Sequence, residues 1–178
     1  MSISLAIWLR LSLLNKMKTA VIRHPKENRQ KCSLRHLHEH PEFEFFNAVD
    51  GFSFDATGYT LLEIDAPTMS EADAQRPILL LDSTWHLLPK IRAKVYGNFV
   101  PRSLPLSIKT GYPRVSKMHA DPNGLATIEA LYAALKFAGR PNPSIIREYP
   151  FALHFLTINN WLNDVPKDFF EGTKQVLF

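Results

Sequence analysis

The sequence predicts an α/β fold with a mainly parallel β-sheet. Short apolar runs of strand length alternate along the 178 residues with segments of helical spacing, a pattern typical of α/β layer proteins. The run at residues 78–81 is apolar throughout, as expected of a central strand that is buried on both faces. Residues 124–139 place their apolar side chains mostly along one helical face, and Gly139 with Pro141 ends that helix.

An apolar run predicts a strand at residues 19–23, and a basic turn follows it. Ser33 is a suitable N-cap for a helix over residues 34–40, which Pro41 ends. The other predicted elements are short strands between residues 43 and 64, a helical turn over 70–75, a helix over 85–95, a strand at 104–108 and a last helix over 150–162.

The composition is that of an ordinary globular domain. Hydrophobic residues make up 46% and charged residues 21% of the chain, which argues against intrinsically disordered and fibrous classes. The formal net charge of +4 permits an anionic partner such as RNA. Cys32 is the only cysteine in the sequence, so no intrachain disulfide can form, cysteine-rich zinc modules are excluded and a cytoplasmic location is expected.

The apolar start of the chain is predicted to be neither a membrane span nor a signal peptide. Residues 1–14 contain Arg10, lack a small-residue cleavage site and are shorter than the roughly 20 apolar residues that span a bilayer. Met17 directly precedes the first predicted strand. We therefore expect residues 1–16 to be an N-terminal extension, residues 17–178 to form a single domain, and no membrane association.

The segment Asp82-Ser83-Thr84-Trp85, at the end of the predicted central strand, is the main candidate for an active site. Open α/β sheets bind ligands just beyond the carboxyl ends of their strands. A carboxylate there can accept a proton or orient a donor, and an indole three residues later can stack on a base. The alternative interpretation is structural, with Asp82 as a helix cap and Trp85 as a core residue.

Basic residues in the loops predict a phosphate-binding rim around this site. The alternative is a solvated charged face without a function. The residues singled out as RNA contacts are Arg23, Lys26, Arg29, Arg102, Arg114 and Lys117. Further members of the rim are Lys31, Arg35, Lys90, Arg92, Lys94 and Lys109.

The sequence also contains a candidate metal site, and it lacks three common ligand-binding and catalytic motifs. Cys32, His36 and His40 stand four residues apart and could present a thiolate and two imidazoles on one helical face. Three ligands from one helix seldom complete a zinc site, and Pro41 disturbs the last turn, so we expect no metal. The sequence has no G-x-G-x-x-G, Walker or G-x-S-x-G motif, which argues against dinucleotide, P-loop and hydrolase sites.

Several segments of the sequence resemble motifs of the DTW-domain family. Residues 81–85, Leu-Asp-Ser-Thr-Trp, are similar to its Asp-x-Thr-Trp signature. Three further segments occur in the order of the family and extend the resemblance over about residues 19–139. They are residues 24–27 with 31–33 in an early loop, residues 102–105 with Tyr112 and Arg114 in a central loop, and residues 124–130 at a G-x-x-(S/T)-x-E helix opening.

This resemblance implies a fold and an activity. The family comprises tRNA-uridine aminocarboxypropyltransferases of the SPOUT-like superfamily, related to the aminocarboxypropyltransferases of small-subunit rRNA. The resemblance implies a parallel sheet with helices on both faces. It also implies a trefoil knot between about residues 78 and 133, which would form the S-adenosylmethionine pocket. The implied reaction transfers a 3-amino-3-carboxypropyl group to a ring nitrogen of uridine, in tRNA rather than rRNA, and a monomer is favoured.

The resemblance also implies roles for individual residues. Asp82 would orient or deprotonate the uracil, and Trp85 would pack beside the cofactor's side chain or the base. The hydroxyls of Ser33 and Thr127 would bind the cofactor. Thr84 and the backbone groups around Leu104 would also bind the cofactor. Arg102 and Arg114 would bind a phosphate or the carboxylate of the cofactor.

Two other functions stay open at the level of sequence. A SPOUT-type RNA methyltransferase would share the fold and the cofactor but would release S-adenosylhomocysteine instead of methylthioadenosine. A catalytically silent RNA-binding or ribosome-assembly protein would keep the fold without the chemistry. The presence of both Asp82 and Trp85 favours an enzyme.

Overall fold

Parallel strands organise the protein in a computed structural model that describes residues 17–27, 30, 32–113 and 124–176. The main sheet contains β1 (Thr19–Arg23), β2 (Phe43–Asn47), β4 (Thr60–Leu62), β5 (Ile78–Asp82) and β7 (Val100–Arg102). Its five strands lie in the order β2-β1-β5-β4-β7, and every pair is parallel. A small parallel pair joins β3 (Phe54–Asp55) to β6 (Val95–Tyr96).

The α-helices that the structure describes are α1 (Leu88–Arg92), α2 (Thr127–Phe137) and α3 (Ala152–Ile158). The end of α2 is a Schellman motif, in which Arg140 N donates to Leu135 O and Gly139 N donates to Lys136 O, both at 3.0 Å. Gly139 has a φ of +70°, the left-handed conformation that this motif requires. The predicted end of the long helix is therefore confirmed.

Strand β5 is the central strand, as its unbroken apolar sequence predicts. Ile78 and Leu80 belong to the apolar core that contains residues of α2 and α3. Leu79, between them, belongs to a second core that contains Ile91 of α1. Successive side chains of a strand point to opposite faces, so the sheet carries helices on both sides. The structure thus confirms the predicted α/β class with a parallel sheet.

Residues 34–40 do not form the predicted helix. Only Arg35–Leu37 is helical, as a 3-10 turn, and the backbone hydrogen bonds around it span three residues. Ser33 is not its N-cap, because Ser33 Oγ accepts a hydrogen bond from Ile128 N at 3.2 Å instead. The prediction was wrong because a tertiary contact takes the hydroxyl that a local helix would need.

Two further elements differ from their predicted bounds. Residues 85–95 form a 3-10 turn at Trp85–Leu87 and then α1, after which Val95 enters β6. Residues 104–108 form a turn and not the predicted strand, because β7 comes earlier. Pro101 lies within β7, where the edge position of the strand tolerates a missing N–H. Helical structure predicted at 70–75 and 150–162 is present over Glu71–Asp73 and Ala152–Ile158.

Three expectations involve residues outside the described part of the chain. Residues 1–16, the expected N-terminal extension, lie outside it, as do residues 114–123 within the stretch that the resemblance assigns to a knot. The extension, the single domain and the trefoil knot therefore stay predictions. Among the described residues, no helix combines the length and the apolar character needed to cross a membrane.

Candidate active site

The candidate active site lies at the carboxyl ends of β1 and β5. These strands are parallel neighbours, and their register pairs Arg23 with Asp82. From β1 the chain continues to β2 on one side of the sheet, whereas after β5 it reaches β7 on the other side. The edge between β1 and β5 is therefore a topological switch point, where open α/β sheets form their ligand sites.

Asp82 is buried at this edge and is held by three other side chains. Thr127 Oγ1 donates a hydrogen bond to Asp82 Oδ1 over 2.8 Å. Arg23 Nε and Cys32 Sγ donate to Oδ2 over 3.1 and 3.3 Å. Because Asp82 is 5% exposed and Arg23 is 2% exposed, the two charges form a buried ion pair. Asp82 does not cap the turn that follows, since that turn has Thr84 as its N-cap residue.

Arg23 is not a surface contact for RNA, contrary to the expectation from sequence. Besides its bond to Asp82, its Nη2 lies 2.9 Å from His38 Nε2, and its Cζ lies 5.1 Å from the centre of the Phe45 ring. The His38 and Phe45 rings stack at 4.2 Å. The guanidinium is enclosed by these groups, so its role is to neutralise the Asp82 carboxylate inside the protein.

Cys32 belongs to the same cluster as Asp82, while His36 and His40 make other contacts. Burial raises the pKa of the Cys32 thiol to about 11, with a further contribution from the Asp82 carboxylate, so the thiol keeps its proton at neutral pH. His36 Nε2 lies 2.7 Å from Ile145 O, and His40 Nδ1 accepts a backbone N–H. Across the described ranges, no three or more histidine, cysteine or acidic side chains are grouped to hold a metal ion.

Two hydroxyls connect the N-terminus of α2 to this cluster. Ser33 Oγ accepts its hydrogen bond from Ile128 N, which leaves the Ser33 hydroxyl proton for another acceptor. Thr127 donates its proton to Asp82, which leaves the oxygen of Thr127 to accept from another donor. Both side chains are half-buried. Two neighbouring hydroxyls thus have opposite hydrogen-bonding capacities toward a ligand.

The residues after Asp82 add an unpaired hydroxyl and an indole. Ser83 Oγ is buried and has no hydrogen-bond partner among the residues that the structure describes. Thr84 is exposed, while Trp85 is half-buried and belongs to neither apolar core. A buried hydroxyl without a partner costs free energy, and a bound ligand can supply the missing partner. The structural alternative from the sequence is therefore wrong. Asp82 does not cap a helix, and Trp85 does not belong to an apolar core.

Leu104 and Arg102 lie apart from this cluster, at the edge strand β7. Leu104 lines a groove of about 410 Å³ beside the carboxyl ends of β4 and β7. Arg102 Nε donates to Asp73 Oδ2 over 2.8 Å, and the Asp73 side chain is 1% exposed. Strand β4 separates both residues from Asp82 on β5. The walls of the groove are residues 64–68 and 103–106.

Of the other four predicted RNA contacts, the structure describes only Lys26. Lys26 is exposed in the loop that follows β1, close in sequence to Arg23. Arg29, Arg114 and Lys117 fall outside the residues that the structure describes.

Comparison with known proteins shows that this chain shares its fold with a solved structure. The sequence matches no protein-family model and no curated protein. The structure is similar to the SAM-dependent rRNA:acp-transferase Tsr3 from Vulcanisaeta distributa, with a TM-score of 0.62 and 21% sequence identity over 89% of this chain and 85% of that one. The two proteins share a fold.

Glu129, the acidic residue of the G-x-x-(S/T)-x-E segment, was given no role from the sequence, and the structure buries its carboxylate completely. Its oxygens accept hydrogen bonds from Thr110 Oγ1, Gly111 N, Ala126 N and Tyr149 OH, at 2.7 to 3.1 Å. Burial raises the pKa of Glu129, and the four hydrogen bonds act in the opposite direction. An acidic residue on the apolar face of a long helix was the available signal. Glu129 thus ties the loop before residue 114 to the start of α2.

Proposed function

We propose that this protein is an S-adenosylmethionine-dependent transferase that moves a 3-amino-3-carboxypropyl group onto a uridine of RNA. The observation that carries the proposal is the meeting of Ser33, Asp82 and Thr127, which come from three separate segments of the chain. The same three segments carry the resemblance to the DTW-domain family. The shared fold with an rRNA:acp-transferase supports the same class of reaction.

The groups at this edge fit the amino-acid part of S-adenosylmethionine. A carboxylate requires hydrogen-bond donors, and an ammonium group requires acceptors. Ser33 retains a proton for a carboxylate, and Thr127 retains an oxygen lone pair for an ammonium group. Ser83 Oγ, which lacks a partner within the described chain, can serve either group. The indole of Trp85 offers an apolar face to the carbons between them.

The chemistry demands little of the protein beyond orientation. When bound, S-adenosylmethionine would supply an activated aminocarboxypropyl carbon. The bond from the uridine ring nitrogen to this carbon would replace the carbon–sulfur bond, methylthioadenosine would leave, and the proton of the ring nitrogen would pass to solvent. The side chains described above therefore mainly fix the direction of approach and exclude water. Because Arg23, Cys32 and Thr127 occupy both carboxylate oxygens of Asp82, we assign Asp82 to holding Thr127 in place.

We infer that the acceptor is tRNA in preference to rRNA. The motif resemblance supports tRNA, because the DTW-domain family modifies tRNA uridines. The structurally similar enzyme is described as acting on rRNA, which supports the alternative. The two RNAs are therefore tested separately.

The experiment is to incubate the protein with S-adenosylmethionine and either unmodified tRNA or small-subunit rRNA, and to separate the small-molecule products by chromatography. We expect methylthioadenosine, formed only when RNA is present. Formation of S-adenosylhomocysteine would instead identify a methyltransferase. If neither RNA yields either product, the transferase assignment is wrong and a binding role is favoured.

A variant pair links the activity to the site. Thr127→Val removes the hydroxyl that faces Asp82 and is expected to lower methylthioadenosine formation by about tenfold or more, since a hydrogen bond to a charged group contributes about 1.5–3 kcal/mol. Thr157→Val is the matched control, because that exposed hydroxyl donates to Leu153 O within its own helix α3. Equal activity of the two variants would separate Thr127 from the reaction.

A further inference from the structure

Cationic side chains from two loops lie beside the candidate active site. His24 and Lys26 follow β1, while His86, Lys90 and Lys94 follow β5. Because β1 and β5 are adjacent and parallel, both loops begin at the same edge of the sheet. We refer to these five residues as the basic edge.

The electrostatics of His24 agree with the closeness of the two loops that the strand order implies. Loss of solvent contact is the largest cause that lowers the pKa of His24. The charges of Lys26, Lys90, His86 and Lys94 lower it further, in that order. Charges act on an imidazole in this way only from nearby, because solvent and salt screen distant ones. The two loops therefore form one positively charged surface.

The lysines of this surface form no ion pair with the carboxylates that the structure describes. Lys26 and Lys90 are exposed, and neither forms an ion pair with any residue that the structure describes. Lys94 Nζ donates to a backbone carbonyl oxygen at 2.8 Å. Arg92, on the same helix as Lys90, is instead paired with Glu63. The positive charge available to a partner is thus concentrated on the side of α1 that belongs to the basic edge.

Taking the proposed function as its basis, we propose that the basic edge binds the phosphate backbone of the acceptor RNA beside the uridine that enters the site. Phosphate contacts from lysine position a nucleic acid without reading its sequence. The surface takes the role that the sequence assigned to Arg23 and Arg102, whose guanidinium groups are committed to Asp82 and Asp73. Selection of the uridine is then left to the adjoining pocket.

The test compares two triple variants that change the net charge equally. The first is Lys26→Gln/Lys90→Gln/Lys94→Gln, which neutralises the lysines of the basic edge. The second is Arg76→Gln/Lys167→Gln/Lys174→Gln, which removes three exposed positive charges on other parts of the protein. Binding of fluorescently labelled, unmodified tRNA is measured by anisotropy over a series of KCl concentrations.

The wild-type affinity is expected to fall linearly with salt on logarithmic axes. Each lost phosphate contact lowers the slope by about 0.7–0.9, so the first variant should reduce its magnitude by about two to three. The second variant should leave the slope unchanged. The charge-retaining variant Lys26→Arg/Lys90→Arg/Lys94→Arg should restore the wild-type slope, which a general folding defect would not explain.

An unchanged slope in the first variant, or equal losses in both triple variants, would overturn the role of the basic edge. The product assay keeps this outcome distinct from failure of the proposed function. If the wild type binds RNA through the basic edge but forms no methylthioadenosine, the transferase assignment fails and the surface stands. If methylthioadenosine forms while the first variant keeps the wild-type slope, the surface fails and the transferase assignment stands.

Discussion

Two buried carboxylates lie at the N-terminus of α2, and their negative charges are stabilised by different kinds of partner. Asp82 is paired with the cationic guanidinium of Arg23 and also accepts bonds from a hydroxyl and a thiol. Glu129 accepts four hydrogen bonds from neutral donors and has no ion pair with a described residue. Asp82 lies at the edge of the sheet, whereas Glu129 lies between α2 and the loop that contains Gly111.

The difference separates a site from its scaffold. Around Asp82, the hydroxyls of Ser33, Ser83 and Thr127 retain capacity for a ligand. Around Glu129, the donors are used to hold a loop against a helix. Burial of a carboxylate alone therefore does not indicate catalysis, and its position at the switch point together with its charge compensation is more informative.

The largest effect is expected from Asp82→Ala, which tests whether the ion pair organises the site. This change leaves the buried guanidinium of Arg23 without a counterion, and loss of one partner of a buried pair costs about 3–5 kcal/mol. We expect that decrease in the free energy of unfolding in urea, together with loss of methylthioadenosine formation.

The double variant Arg23→Met/Asp82→Leu is the control for this effect. Removing both charges should recover most of the stability that Asp82→Ala loses, because no buried charge is left unpaired. It should not recover activity. A stable and active Asp82→Ala protein would show that Asp82 has no more influence than an ordinary core residue.

An intermediate effect is expected from Glu129→Gln, which tests the scaffold carboxylate. The glutamine amide cannot accept all four hydrogen bonds, and an unsatisfied buried donor costs about 1–3 kcal/mol. Product formation should fall less than in Asp82→Ala, because Glu129 acts on the site only through α2.

The pH dependence of stability sharpens this second test. Burial raises the pKa of Glu129 in the folded protein above its ordinary value of 4.5, so folding favours the protonated acid. The resulting stability is fully present below pH 4.5 and is lost as the pH rises through the folded pKa. The stability difference between wild type and Glu129→Gln should therefore shrink with rising pH. A difference that does not change with pH would contradict the raised pKa.

The smallest effect is expected from Ser33→Ala, which removes the acceptor for Ile128 N at the start of α2. Loss of a helix-capping hydroxyl costs about 1 kcal/mol, measured as the change in the free energy of unfolding. The exposed Ser53→Ala is the control and should stay within about 0.5 kcal/mol of wild type. Indistinguishable variants would mean that Ser33 does not support α2.

Apolar patterns predicted the sheet better than the short helical segments. Strand β1 and the central strand β5 lie where their apolar runs indicate, because such runs require burial on both faces. Residues 34–40 did not form their helix because Ser33 bonds to Ile128, 95 residues away. A contact of that kind leaves no trace in local spacing.

By itself, the sequence determined the α/β class, the central strand and the position of Asp82 at its end, because these follow from periodicity and neighbouring residues. The tertiary structure decided which charges are buried. Arg23 is enclosed with Asp82 and Arg102 is paired with Asp73, while Lys26 remains in solvent. Pairing and burial depend on strand register and on contacts between distant residues, and local sequence patterns do not specify either.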